Sequence, residues 1–155
     1  MWAAGPRLAG NLLQPRMFNA KPAAMRSLSV TGIAMDPGTL EGLGHYLRRR
    51  VAYRGVFAAD EPSEESMRSD CVVLYPDGLP LRSAQRLARR LISCPTVSLV
   101  IIVTALPAAE RQTLVGSRSA SNCLIFLPIP AWPWTVFATI ESSLPGRYRA
   151  ASQLC

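Results

Sequence analysis

The chain has 155 residues, of which 49% are hydrophobic, so it is long enough and apolar enough to build one globular domain. Its formal net charge is +7, from sixteen arginines and one lysine against ten acidic residues. Such a surface can attract nucleic acid, an anionic membrane or acidic proteins, but the arginines are scattered and do not alternate with aromatic residues. The longest apolar runs are too short for a membrane-spanning helix or are interrupted by proline.

Cysteine and histidine usage argues against a metal site. The cysteines form no C-x-x-C pair, so zinc spacing is absent. The single histidine, His45, has no cysteine or aspartate at ligand spacing. Cys71 and Cys123 lie inside apolar runs, where we expect them to be small buried hydrophobic residues. We therefore expect reduced cysteines, a cytoplasmic protein, and neither a metal nor another cofactor.

The N-terminal stretch differs from the rest of the chain, because no acidic residue precedes Asp36. It is similar to a transit peptide in charge, but several prolines argue against one amphipathic helix. We expect residues 1–26 to be a flexible basic leader, or an over-extended start with the domain beginning near Met25. We expect one domain over residues 27–145 and a loose polar tail over residues 146–155.

Strand-like runs alternate along the chain with helical or loop segments. Apolar residues at a spacing of three and four predict helices, and short runs rich in β-branched residues predict strands. Proline and glycine mark most of the boundaries. In order, we predict strand Ser27–Met35, helix Gly38–Arg50, strand Val51–Ala59, a loop or short helix Asp60–Ser69, strand Cys71–Leu74, a helix from Pro80 to Ile92, strand Val97–Ala105, helix Pro107–Gly116, loop Ser117–Asn122, strand Cys123–Leu127 and helix Trp134–Leu144.

The central stretch is Asp70–Pro80. Its four consecutive apolar residues, Cys71–Leu74, are typical of a strand buried on both faces of a parallel sheet. Alternation of strands and helices predicts an α/β fold of three layers, with helices on both sides of the sheet. The most economical topology is the flavodoxin-like strand order 2-1-3-4-5. In such a sheet the chemistry lies just past the carboxyl ends of the strands, here at Tyr75-Pro76-Asp77-Gly78.

Four short motifs in this order resemble a response-regulator receiver domain over roughly Ser27–Leu144. An acidic-proline pair, Asp36-Pro37, follows the first strand. The third strand and its Gly-Leu-Pro turn lie in Asp70–Pro80. The fourth strand ends in Val103-Thr104-Ala105, and the fifth reads Phe126-Leu127-Pro128-Ile129-Pro130.

The resemblance implies a phosphotransfer mechanism. An aspartate after the third strand accepts a phosphoryl group as a nucleophile, and an acidic pair after the first strand holds a divalent cation. A lysine after the fifth strand and a serine or threonine after the fourth bind the phosphoryl group. An aromatic residue of the fifth strand then turns inward.

At the cation and acceptor positions this chain departs from the family pattern. Alignment on Asp36 places Ala34 and Met35 where the acidic pair is expected, with Asp36 at the outer edge of the site. Alignment from Asp70 or from Pro80 places Tyr75 or Pro76 at the phospho-acceptor position. Neither side chain can form an acyl phosphate.

At the remaining positions the pattern is partly kept. Ile129 replaces the lysine, whereas Thr104 and the aromatic Phe126 remain. Asp77 is a displaced acceptor or, as the neighbouring Gly78 favours, a turn residue. We interpret Thr104 as a relic or a cap of the next loop, and Phe126 as a core residue more than a switch.

Trp132 and Trp134 lie in the proline-rich turn after the fifth strand. Exposed aromatic residues are typical anchors of protein interfaces. The resemblance implies an interface on the face built from the fifth strand and the helices that follow the fourth and fifth strands, with a homodimer as one outcome. The alternative is that one tryptophan covers the end of the core.

The sequence therefore predicts a degenerate receiver that acts in bacterial signal transduction through another signalling protein or itself, without phosphorylation, catalysis, nucleic acid or membrane. About ten residues follow Leu144, so we expect a stand-alone protein. One alternative is an active phosphorelay receiver that uses Asp77. Another is a basic module that binds nucleic acid or another anion.

Overall fold

The computed structural model describes residues 27–116 and 122–144. The predicted leader, the predicted tail and residues 117–121 of the predicted loop lie outside these ranges, so the domain limits stay predictions. The described elements are β1 Ser29–Ala34, α1 Pro37–Leu47, β2 Ala52–Phe57, β3 Cys71–Leu74, α2 Leu81–Ile92, β4 Leu99–Val103, α3 Ala108–Val115, β5 Cys123–Leu127 and α4 Pro133–Ser143.

The five strands form one parallel sheet in the order β2-β1-β3-β4-β5. This confirms the predicted fold class and strand order. Ile33 pairs with Leu74, and Leu74 pairs with Ile102, so the carboxyl ends of β1, β3 and β4 lie side by side. The loops that follow these strands therefore meet at one edge of the sheet.

The two central strands explain why the sheet is stable. Every residue of β3 and β4 is buried. Val72 and Leu74 pack on the side of α2 and α3, whereas Cys71 and Val73 pack on the side of α1 and α4. Continuous apolar runs are what a strand covered on both faces requires.

Cysteine burial follows the position of each strand in the sheet. Cys71 is fully buried in the central strand β3, as predicted. Cys123 is exposed, so the expectation of a buried side chain was wrong. It is the first residue of the edge strand β5, which has a neighbouring strand on one side alone.

The connection between β2 and β3 departs from strict alternation. The described residues here form a short 3₁₀ turn, Ala58–Asp60, and irregular turns, but no α-helix. Met67 is the one large apolar side chain of residues 61–70 that is deeply buried, at 2% exposure. A helix at this position would lack an apolar stripe to pack on the sheet.

A close approach of α1 to β2 is made possible by glycine. The Tyr53 hydroxyl donates a hydrogen bond to the Leu40 carbonyl at 3.0 Å. An added Cβ would lie 2.6 Å from the Tyr53 oxygen at Gly32, and 2.7 Å from a Tyr53 ring carbon at Gly44. The ring thus occupies space that any larger side chain at these two positions would need. Its partial burial raises the pKa of Tyr53 to about 12.

Within the described residues, no helix combines the length and the apolar character that crossing a bilayer demands.

Candidate functional site

The candidate site lies at the carboxyl edge of the sheet, in the loop after β3. The Leu79 amide donates to the Pro76 carbonyl at 3.1 Å, which closes a turn with Asp77 and Gly78 at its centre. Gly78 has a φ of +95°, a conformation that residues with a Cβ rarely adopt. Asp77 is therefore in a turn, as its sequence context indicated.

The turn brings the Asp77 carboxylate to the loop after β4. The Thr104 hydroxyl donates to one carboxylate oxygen at 2.6 Å. The Ala105 amide donates to the other oxygen at 3.0 Å. Both oxygens of Asp77 are therefore engaged, and one side chain joins two loops that follow adjacent strands. Hydrogen bonds to a charged acceptor of this kind are stronger than those between neutral groups.

The Thr104 hydroxyl both donates and accepts a hydrogen bond in this bridge. Its side chain is fully buried, and its oxygen also accepts a hydrogen bond from the Leu106 amide at 3.1 Å. This second bond is the loop cap that the sequence indicated. Sequence reasoning missed the contact with Asp77, although a carboxylate after β3 and a hydroxyl at the end of β4 become neighbours in the predicted strand order.

Asp36 has a local structural role. Its carboxylate accepts hydrogen bonds from the Thr39 amide at 2.9 Å and from the Thr39 hydroxyl at 2.8 Å. It is therefore the N-cap of α1. Hydrogen bonds from the Thr39 hydroxyl and the Thr39 amide, and a weaker one from the Gly38 amide, lower the pKa of Asp36 below its usual range, although desolvation opposes them. The Asp36 carboxylate, at the outer edge of the site, therefore caps α1.

Uncharged side chains occupy the positions that the resemblance assigned to the cation-binding pair and to the phospho-acceptor. Ala34 is buried and Met35 is 40% exposed, and neither carries a charge. Pro76 is buried, and Tyr75 is half-buried. Burial, together with the neighbouring Tyr53, raises the pKa of Tyr75, so its phenol stays protonated at neutral pH.

Ile129, at the position of the family's lysine, carries no charge and is 49% exposed after β5. His45, which the sequence did not indicate as a ligand, is exposed on α1. In residues 27–116 and 122–144, no three histidine, cysteine or carboxylate side chains form a group that could hold a metal ion.

Phe126 packs as a core residue of β5. It is partly buried against the cluster between the sheet and helices α2 and α3. The Arg111 guanidinium lies 5.5 Å from the ring centroid, and the Arg111 Nε donates to the Leu106 carbonyl at 2.9 Å. The same arginine therefore contacts the ring and the loop that contains Thr104.

The two tryptophans form an exposed stack. Trp132 and Trp134 are each 54% exposed, and their rings are parallel within 5° with centroids 5.3 Å apart. Trp134 meets the ring of Tyr46 edge-on at 6.4 Å, and Arg50 lies 3.9 Å above the same Tyr46 ring. Trp134 therefore faces α1, which packs on the side of the sheet opposite α3. The interface expected on the face of β5, α3 and α4 stays a prediction.

Comparison with known proteins identifies the fold. No protein-family model matches the chain, and no curated protein matches it significantly. The BeF3-activated DrrB receiver domain is similar in structure, with a TM-score of 0.51 and 17% identity over 77% of this chain and 99% of that domain. A response regulator from Thermotoga maritima has a TM-score of 0.51 and 11% identity over the same shares of the two chains.

A pilus assembly-related protein from Burkholderia pseudomallei has a TM-score of 0.49 and 18% identity over 82% of this chain and 91% of that one. The first two likenesses agree with the five-stranded parallel sheet and its strand order. This chain therefore has the fold of response-regulator receiver domains.

Proposed function

We propose that this chain is a receiver-like signalling module that acts by protein–protein contact, is not phosphorylated and catalyses no reaction. The receiver fold supports the signalling class. The hydrogen bonds that Thr104 and Ala105 donate to the Asp77 carboxylate support a module that is not phosphorylated.

Phosphorylation would turn one carboxylate oxygen of Asp77 into the bridging oxygen of an acyl phosphate, which would disrupt the hydrogen bond that this oxygen accepts from Thr104 or Ala105. A phosphoryl group would also add about −1.5 to −2 charge. Ala34, Met35 and Ile129 offer neither carboxylates for a cation nor an ammonium group for the phosphoryl oxygens. These positions therefore favour a site that keeps its structure without the modification.

The exposed aromatic stack supports action through protein contact. Trp132 and Trp134 present flat apolar area next to the arginine-rich end of α1, and aromatic and arginine side chains are common interface anchors. Arg50 already stacks on Tyr46, so this part of the surface has little flexibility to lose on binding. We place the partner surface at Tyr46, Arg50, Trp132 and Trp134.

The phosphorylation part is tested by incubating the chain with acetyl phosphate and Mg²⁺ and measuring its intact mass. We expect no phosphoryl adduct, in the native chain and in Asp77→Asn alike. An adduct on the native chain that disappears in Asp77→Asn would instead assign an active acceptor to Asp77. An adduct that persists in Asp77→Asn but not in Asp36→Asn would assign it to Asp36.

The contact part is tested first for self-association, by sedimentation velocity over a range of concentrations. We expect the native chain to associate and Trp132→Ala to weaken that association by about tenfold or more, as loss of an interface anchor does. Phe57→Ala is the matched control, since Phe57 is an exposed aromatic residue on the opposite edge of the sheet. Equal association of both variants would contradict the assigned surface.

A further inference from the structure

A cavity of about 270 Å³ lies beside α2, next to the turn that contains Asp77. One wall is a face of α2, with Leu87, Arg86 and Arg90 at helical spacing. The opposite wall is the segment after β2, which includes Ala58 and Glu61. This is the place where the described connection between β2 and β3 forms no α-helix, so the side of α2 remains uncovered.

The floor of the cavity is apolar. Ala58 and Leu87 are buried, Leu79 is partly buried, and Met35 is 40% exposed at one end. Such a lining can hold an aliphatic chain, because apolar area removed from water contributes about 25 cal/mol per Å². At about 30 Å³ for each water, the volume equals about nine waters, which suits a ligand of about ten non-hydrogen atoms.

The rim is positively charged. Arg90 is half-buried, and its guanidinium has no hydrogen-bond or ion-pair partner among the residues that the structure describes. Arg86 has one weak partner, Glu61, at 3.9 Å, with both side chains more than 70% exposed (71% and 74%). An exposed pair at this distance contributes little to stability, so an incoming anion can replace Glu61. A partly desolvated guanidinium binds carboxylate and phosphate oxygens well.

We propose that this cavity binds a small amphiphilic anion, with its carboxylate or phosphate head between Arg86 and Arg90 and its aliphatic tail on Leu79, Leu87 and Met35. This binding site goes beyond the proposed function: Leu79 and Met35 adjoin the Asp77 turn, but none of its charged residues contacts Asp77, Thr104 or the tryptophan stack. Such a ligand would be a chemical input that does not depend on phosphorylation.

The test uses octanoate as the probe, which has about ten non-hydrogen atoms and a dissociation constant expected on the order of 1 mM. Amide spectra of the isotope-labelled full chain are recorded during the titration, which also shows that each variant is folded. We expect saturable shifts at residues 58–62 and along α2. Octanol, with the same chain length and no charge, should bind about tenfold more weakly.

Matched variants locate the head group. Arg90→Gln should weaken octanoate binding about tenfold, since a charge-assisted hydrogen bond is lost. Glu61→Gln should strengthen it, because the competing carboxylate is removed. Arg82→Gln, on the same helix but outside the cavity, should bind like the native chain. The proposal is overturned by a titration without saturable shifts, by equal effects of Arg90→Gln and Arg82→Gln, or by equal affinities for octanol and octanoate.

Discussion

Asp77 joins two loops that the sequence treats as separate. The Thr104 hydroxyl at 2.6 Å and the Ala105 amide at 3.0 Å each satisfy one carboxylate oxygen. The sequence favoured a turn for Asp77 over a displaced acceptor and gave Thr104 as a relic or a loop cap, because each residue type has a sufficient local explanation. In the sequence, Asp77 lies 27 positions before Thr104 and 28 positions before Ala105. The pairing of β3 with β4 brings these residues together.

The bridge predicts energetic coupling between the two residues. Asp77→Ala should lower the free energy of unfolding by about 1–3 kcal/mol, because Thr104 and Ala105 lose a charged acceptor. Thr104→Val should cost a similar amount, and the double variant should cost clearly less than the sum of the two. Urea denaturation of the four chains measures this cycle. Additive effects would mean that the two side chains do not act together.

The elements differ in how much of their structure the sequence determines. Strands β3 and β4 are predictable because a continuous apolar run has few alternatives to a doubly covered strand. The segment after β2 is harder, since alternation in an α/β fold favours a helix there while its own residues lack an apolar stripe. The meeting of Trp134 with Tyr46 depends on how α4 and α1 pack, which local patterns do not specify.

Two glycines in α1 give opposite expectations for the same substitution. Gly42→Ala should raise the free energy of unfolding by about 0.4–1 kcal/mol, since nothing lies within 4 Å of the added Cβ. Gly44→Ala should lower it by about 1–3 kcal/mol, because the new Cβ would lie 2.7 Å from the Tyr53 ring. Thermal or urea denaturation of the two variants tests the packing of α1 on β2. Stabilisation by both would show that Tyr53 is not held against Gly44.

Burial raises the pKa of three side chains in the folded molecule, Cys71, Tyr53 and Tyr75. Burial, with the nearby Asp70 charge, raises the pKa of Cys71. Desolvation raises the pKa of Tyr53 to about 12, and that of Tyr75 as well. Each group binds its proton more tightly in the folded chain than in the unfolded chain. Raising the pH therefore removes these protons from the unfolded chain first.

This linkage predicts loss of stability in alkali. The free energy of unfolding should fall as the pH rises past 9.0 and 10.0, the ordinary values for cysteine and tyrosine, toward the value of about 12 that Tyr53 reaches in the folded chain. Urea denaturation at a series of pH values measures the slope. Cys71→Ala should be less stable than the native chain at neutral pH, but its stability should fall less steeply with pH. A slope unchanged by that substitution would contradict the assignment to Cys71.

The proposed receiver-like module needs no phosphoryl group, because Thr104 and Ala105 already donate hydrogen bonds to both carboxylate oxygens of Asp77. The most direct measurement is the amide spectrum of the full chain before and after addition of acetyl phosphate and Mg²⁺. We expect the Ala105 amide to keep its chemical shift, because the Asp77 carboxylate remains its acceptor. A new Ala105 signal that grows with acetyl phosphate, and that Asp77→Asn abolishes, would contradict it.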